Sequence, residues 1–197
     1  MCKKMLLLLA GFFLLTGCKD DVEIAPVCDC LFVPFIETYA THFSGNPYNG
    51  NETYFIKGIA GNIVDGYGCK IKFIEDLKGN FSKKVNTTFT VWGNIDGCRA
   101  DNFNDYNYQD TLIMLLNPAR DRKFKITGNE SKPYHEKVGD YVTMGCGISV
   151  LKLSENYVTG CILGKIIINH NGYETKICSA DTLYYQEFQK LLEEIKQ

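Results

Sequence analysis

Nine cysteines, at positions 2, 18, 28, 30, 69, 98, 146, 161 and 178, constrain this chain of 197 residues more than any other feature. At that density they call either for an oxidising compartment, where they form disulfides, or for a metal site. The rest of the composition is that of a folded domain, 45% apolar and 22% charged, rather than of a disordered chain. The length suits one domain with a short appendage. The 21 basic and 23 acidic side chains leave a net charge of −2. That balance argues against a nucleic-acid binder, which needs a basic face to displace counterions from phosphates.

The N-terminus bears on the compartment. Met1-Cys2-Lys3-Lys4 is a short basic start, and Met5 to Leu15 is an uncharged apolar run of 11 residues. A helix that spans a bilayer needs about 20, so the run reads as the hydrophobic region of a secretory signal. Leu15-Thr16-Gly17-Cys18 then resembles the lipobox of bacterial lipoproteins. The resemblance implies cleavage before Cys18, with diacylglyceryl and amide-linked acyl chains (palmitate among them) on that cysteine. Several acyl chains on one residue anchor stably, where a single myristoyl chain is marginal. Lys19-Asp20-Asp21 is similar to the Lys-acid-acid export signal of Bacteroidota surface lipoproteins. It implies a lipid-anchored protein of the outer membrane exposed at the cell surface; the alternative is a solvated acidic tether. The chain thus divides into a signal peptide (1–17), a lipidated tether (18–27) and a folded domain (28–197). Cleavage removes Lys3 and Lys4 and no acid, which takes the net charge from −2 to −4. Cys2 is lost and Cys18 carries lipid. Seven cysteines remain, an odd number, so at least one is free or pairs with another chain.

Most of the domain reads as β. Tyr54 to Val64 is rich in strand formers, Asp65-Gly66 is a turn signal, and Cys69 to Ile74 alternates as a half-buried strand does. Lys78-Gly79-Asn80 closes that arm, and Val85 to Trp92 is dense in β-branched and aromatic residues. Thr111 to Leu116 (TLIMLL) is either a doubly covered strand or a short buried helix, and its length and the following Asn117-Pro118 favour a strand. Tyr141 to Leu153 and Tyr157 to Asn169 are two further strand-like runs, and His170-Asn171-Gly172 turns the second into Tyr173 to Ile177. The period then changes. Tyr184, Phe188, Leu191, Leu192 and Ile195 recur at helical spacing, with Asp181 or Thr182 placed to cap. The apolar stripe is expected to pack on the β part. About six strands and one helix suggest a small barrel or a sandwich.

Cys28-Asp29-Cys30 opens the domain, Asp96-Gly97-Cys98 follows a strand, and Met144-Gly145-Cys146 is read inside another. With Tyr54 to Val64, Tyr67 to Gly79, Val85 to Trp92, Thr111 to Leu116 and Tyr141 to Cys146, this arrangement resembles the netrin-like module of the tissue inhibitors of metalloproteinases. The resemblance implies a five-stranded Greek-key barrel of OB type with helices beside it, here with an added β-hairpin and the C-terminal amphipathic helix. It also implies the disulfides Cys28–Cys98 and Cys30–Cys146. Cys69, Cys161 and Cys178 are left with their pairing open. A two-residue Asn171-Gly172 turn would set Cys161 opposite Thr182 and Cys178 opposite Lys165, so a Cys161–Cys178 bridge needs a register shift. The inhibitors chelate the protease zinc through a free α-amino group on their first cysteine. Cys28 here lies ten residues after the expected mature N-terminus, and its nitrogen is an amide, a poor metal ligand.

Other chemistry is sparse. His135-Glu136 begins like a zincin helix but no His follows four residues after His135. His42, His135 and His170 are expected on the solvated surface. There is no Gly-x-Ser-x-Gly, P-loop or Gly-x-Gly-x-x-Gly sequence. A tetrathiolate zinc site is disfavoured against disulfides in an exported protein, and Asp101, Asp105 and Asp110 lack the glycine of an EF-hand loop. No enzyme, metal or cofactor is expected. Two segments, Asp101 to Asp110 and His42 to Tyr54, mix aromatics with Asn, Asp and Gly, as binding loops do. A Cys28–Cys98 tie would gather Leu31, Phe32, Phe103, Tyr106 and Tyr108 at one end of the barrel as a partner-binding edge. Asp110-Thr111-Leu112 and Asp181-Thr182-Leu183 resemble the O-glycosylation motif of exported Bacteroidota proteins, at Thr111 and Thr182.

The expected function is a surface-anchored, non-catalytic binding module for a protein or glycan. The alternatives are a tethered protease inhibitor and a structural subunit of an envelope complex. Replacing Cys18 with Ala is expected to leave an uncleaved or mislocalised precursor; normal membrane fractionation of that variant would remove the lipoprotein reading.

Overall fold

The apolar run at 112–116 has no polar residue to turn toward water, and it forms a strand covered on both faces. The structure, a computed structural model, describes residues 23–24, 33–43, 52–94, 99–125, 134–168, 174–178 and 181–195. In chain order the elements are β1 (Glu23–Ile24), α1 (Phe35–Phe43), β2 (Tyr54–Val64), β3 (Gly68–Asp76), β4 (Thr88–Trp92), a 3-10 turn (Phe103–Asp105), β5 (Thr111–Pro118), β6 (Arg122–Lys125), β7 (Tyr134–Glu136), β8 (Tyr141–Thr143), β9 (Val150–Ser154), β10 (Tyr157–Gly160), β11 (Gly164–Ile168), β12 (Glu174–Cys178), β13 (Asp181–Tyr184) and α2 (Tyr185–Ile195).

Five strands close a barrel in the order β2-β3-β4-β8-β5 and back to β2. Every neighbouring pair is antiparallel except β4 and β8, which run parallel. One edge of β5 pairs with β2. Its other edge is shared, with Leu116 to Pro118 on β8 and Thr111 to Met114 on β9. From β9 the same sheet runs on through β10 to β13. Strands β1, β6 and β7 form a separate three-stranded sheet, and β11 and β12 a hairpin.

Side chains alternate across a strand, so β5 serves two cores. Leu112, Met114 and Leu116 fill the barrel with Ile56, Ile71, Phe73, Phe89 and Val91. Ile113 and Leu115 face the other way, against Phe55, Leu151, Val158 and the two helices. All five are fully buried, and at about 1.5–3 kcal/mol per large apolar side chain this strand is the most heavily buried element of the fold.

Helix α1 lies on the outer core, a second helix where the sequence pattern marked only the C-terminal one. Phe35, Tyr39 and Phe43 recur at four-residue spacing. The Tyr39 and Phe55 rings are 5.3 Å apart edge-on, and Phe35 and Phe188 of α2 are 5.7 Å apart. The free N–H groups that begin a helix need acceptors, and here Phe35 and Ile36 donate to the carbonyls of Cys161 and Ile162 at 2.9 and 3.1 Å. Nine residues supply too little periodicity to stand out, and the helix is held by packing instead.

The expected mainly β barrel with a C-terminal helix is present. The Asp65-Gly66 turn is also present: both residues have positive φ and Tyr67 N–H donates to the Val64 carbonyl at 3.1 Å, the geometry of a type I′ turn. Gly68 is required by close approach, since a Cβ there would stand 2.7 Å from the Trp92 ring. Four expectations need correction. Tyr141 to Leu153 is two strands, β8 and β9, and Met144-Gly145-Cys146 lies in the bend between them. Tyr157 to Asn169 breaks at Cys161 to Leu163, between β10 and β11. Asp181 does not cap α2; it pairs with Gly160 in β13, and the helix begins at Tyr185. Cys178 is opposite Gly164, one residue from the expected Lys165, since Ile168 pairs with Glu174 and not with Thr175 as a two-residue turn requires. The stripe of α2 does pack inward, with Phe188 and Leu192 buried, although Tyr184 is exposed. No helix among the described residues is long and apolar enough to cross a membrane.

Candidate functional site

The segment 99–110 reaches β5 across one end of the barrel, and its sequence explains how it is held. Asp101 is 3% exposed. Its carboxylate accepts from the backbone N–H of Ser149 (3.1 Å to Oδ2) and of Val150 (3.0 Å to Oδ1), and from the Ser149 hydroxyl. Ala100 N–H donates to the Gly145 carbonyl at 3.0 Å, and Asn104 Nδ2 to the Gly66 carbonyl at 3.0 Å. Phe103, 1% exposed, sits in the barrel core. Burial pushes the Asp101 carboxyl up to about 7 against the lowering effect of its donors. Beside it, the Arg99 guanidinium pairs with the buried carboxylate of Glu136 on β7.

The far end of the segment is equally fixed. Tyr106 donates its hydroxyl to the Val150 carbonyl at 3.1 Å, and burial, then the charge of Asp101, raises its pKa. Asn107 N–H donates to Asp110 Oδ2 at 2.8 Å, and Lys152 Nζ lies 2.8 Å from Asp110 Oδ1. Those two partners hold the Asp110 carboxyl below its usual range against the opposing effect of desolvation. Gln109 has a φ of 70° and donates its N–H to the Ala60 carbonyl at 2.8 Å. This kink leaves Tyr108 between two pinned residues with its side chain 66% exposed.

Tyr108 borders a groove of about 670 Å³ on the outside of the barrel. Ile59, Ala60, Gly61 and Asn62 of β2, Lys70 and Lys72 of β3, Thr88 of β4, and Gln109 complete the lining. Lys70 and Lys72 are two residues apart on a strand and so share its outer face. Lys70 Nζ is tied to Thr90 Oγ1 at 2.7 Å, and Lys72 is exposed. Among the described residues the lining holds two amines, two amides, a phenol and a hydroxyl, and no carboxylate.

Of the five residues expected to form a partner-binding edge, Tyr108 is the exposed one among those described. Phe103 is core and Tyr106 is a half-buried brace on the Val150 carbonyl; both are corrections, and the physical reason is that each ring packs under the loop. Leu31 and Phe32 lie outside the described residues, as do Cys18, Cys28, Cys30 and Cys98 and the tether apart from Glu23 and Ile24, which pair with β6 as a short strand rather than forming plain linker. The groove's Lys70, Lys72, Asn62, Thr88 and Gln109 were not singled out by the sequence. The Lys-Ile-Lys alternation marked two outward lysines, but nothing local told that the loop at 108–109 passes beside them.

The remaining candidates are placed as follows. Cys69 is a buried free thiol whose pKa burial raises, while Cys146 and Cys161 are disulfide-bonded. The expected Cys28–Cys98 pair and the Cys30 half of the expected Cys30–Cys146 pair lie outside the described residues. Thr111 is half-buried where β5 begins, paired with Ile59 and Leu153, and Thr182 is exposed on β13. His42 is half-buried rather than solvated, and desolvation lowers its pKa. His135 Nε2 lies 2.9 Å from Asp121 Oδ1, and His170 lies outside the described residues. Asp101, Asp105 and Asp110 do not converge, and among the described residues no three His, Cys, Asp or Glu are grouped to hold a metal ion.

Comparison with known proteins leaves the class of this domain to its geometry: no family model, no curated protein and no solved structure matches the chain.

The buried carboxylate has a measurable consequence. A carboxyl with a folded-state pKa near 7 keeps its proton between about pH 4 and 7, where the unfolded chain has lost it. Stability is therefore highest below the unfolded pKa and falls as pH rises through this window, by up to about 4 kcal/mol. Asp101→Asn removes the titration. The difference in unfolding free energy between wild type and variant, measured by urea denaturation at pH 4 to 8, is expected to shift against the wild type as pH rises. A constant difference would mean that Asp101 does not carry the titration.

Proposed function

We propose that this chain is a surface-anchored lipoprotein that acts as a non-catalytic binding module for a protein or glycan, through the groove beside Tyr108. Lipid attachment at Cys18, exposure on the outer membrane and a tether at 18–27 complete the reading, supported by the Leu15-Thr16-Gly17-Cys18 and Lys19-Asp20-Asp21 sequences. We further propose that the barrel is a Greek-key barrel of OB type. Its chain order 1-2-3-5-4 with one parallel closing pair is in keeping with that type. OB barrels bind extended ligands on the face of their second and third strands. Those strands here are β3 and β4, which supply Lys70, Lys72 and Thr88 to the groove. The observation that carries the proposal is the exposed Tyr108 ring, held out by a pinned backbone at the rim of the groove over β2 and β3. An aromatic side chain kept exposed at such cost in apolar surface reads as an anchor.

Envelope components cross-linked to the protein on intact cells give the test. Tyr108→Ala is expected to lower their recovery about tenfold or more, the effect of truncating an aromatic hot spot. Unchanged recovery of every component would place the binding surface elsewhere.

A further inference from the structure

We propose that the groove over β2 and β3 takes an acidic glycan, with a pyranose ring against Tyr108 and its carboxylate or sulfate met by Lys72. This rests on reading the groove as the binding surface. A pyranose has an apolar face that suits an aromatic ring and a rim of hydroxyls that needs directed polar partners. Tyr108 offers the ring, and Asn62, Thr88 and Gln109 line the same groove with two amides and a hydroxyl. The charge decides which glycan. The chain as a whole is acidic, at net −2, yet this lining carries Lys70 and Lys72 and, among the described residues, no carboxylate. Asp110, next in sequence to the groove's Gln109, is already engaged by Lys152 Nζ at 2.8 Å and Asn107 N–H at 2.8 Å. A neutral sugar would leave two ammonium groups without a counter-charge in the groove. A nucleic acid would share the need for an aromatic platform and cations, but its affinity comes from many neutralised phosphates, and two lysines on an acidic chain fit it poorly.

The geometry is prepared rather than induced. Lys70 is steadied by Thr90 at 2.7 Å, and Tyr108 stands between backbone anchors at Asn107 and Gln109. Preorganised side chains lose less freedom on binding.

The test is titration calorimetry on the full lipidated protein in detergent micelles. The probes are a hexagalacturonate, a heparin-derived hexasaccharide, neutral cellohexaose and a ten-residue oligothymidylate. At least one acidic hexasaccharide is expected to bind about tenfold or more tighter than cellohexaose, with affinity falling as salt rises. Lys72→Gln and Tyr108→Ala are each expected to weaken it by about the same factor, while Tyr108→Phe retains binding. Unchanged Trp92 emission shows that the variants are folded. Tighter binding of cellohexaose or of the oligothymidylate, indifference to Lys72→Gln, or no binding of either acidic probe would overturn the proposal. If the acidic probes fail while Tyr108→Ala still abolishes recovery of a cross-linked envelope component, this inference falls and the binding-module reading stands. If both are unaffected by Tyr108→Ala, both fall.

Discussion

Burial of one strand on both faces is the constraint on which the rest of the structure depends. An alternating strand can give one face to water, but Leu112 to Leu116 cannot. Its inward residues close a five-stranded barrel around Ile56, Ile71, Phe73 and Val91. Its outward residues, Ile113 and Leu115, then demand a second cover, supplied by β9, β10 and the two helices. The helices are thus a consequence of the barrel's central strand. Phe188 and Phe35 meet 5.7 Å apart above it, and the α1 N-terminus is satisfied by the carbonyls of Cys161 and Ile162. Removing either helix would expose a large apolar face of β5 and its neighbours.

The groove inherits its rigidity from this arrangement. Asp101 ties the loop that precedes β5 to Ser149 and Val150, just where β9 begins. Tyr106 repeats the tie on the Val150 carbonyl. Gln109 then docks on Ala60 of β2. Between these ties nothing is left to move Tyr108 inward. A buried carboxylate that accepts several donors is costly unless they are all in place, so Asp101 favours the loop conformation that brings it to Ser149 and Val150. What the loop displays follows from what it buries: Phe103 and Tyr106 go under, Tyr108 stays out.

The sequence made the barrel legible because its signals were local and strong. Val64 to Tyr67 carried an Asp-Gly turn, the 112–116 run had no polar residue, and the last eleven residues of regular structure had a clear helical stripe. The failures have physical reasons as well. Helix α1 is short, and its aromatics have no local preference for a helix until Phe55 and Phe188 pack on them. Asp181 looks like a cap, but the pairing of β13 with β10 uses it as a strand residue. In the loop, Phe103, Tyr106 and Tyr108 are indistinguishable by composition; only the tertiary contacts separate plug, brace and exposed ring. The lysines of β3 were visibly outward-facing, but the groove they line is completed by residues about forty positions away, a relation no local pattern contains.

The central claim, that β5 joins the barrel and the helices into one cooperative unit, can be read with two signals from one protein. Trp92 is the only tryptophan, buried on β4 of the barrel wall against Gly68, with its indole N–H on Asp140 at 3.0 Å. Far-UV circular dichroism reports the helices. Urea unfolding of Phe188→Ala is expected to cost about 3–5 kcal/mol, with Trp92 fluorescence and circular dichroism shifting together to the same lower midpoint. Loss of the helical signal at low urea, with the Trp92 transition left at its wild-type midpoint, would contradict the claim and make the helices an independent layer on a self-sufficient barrel.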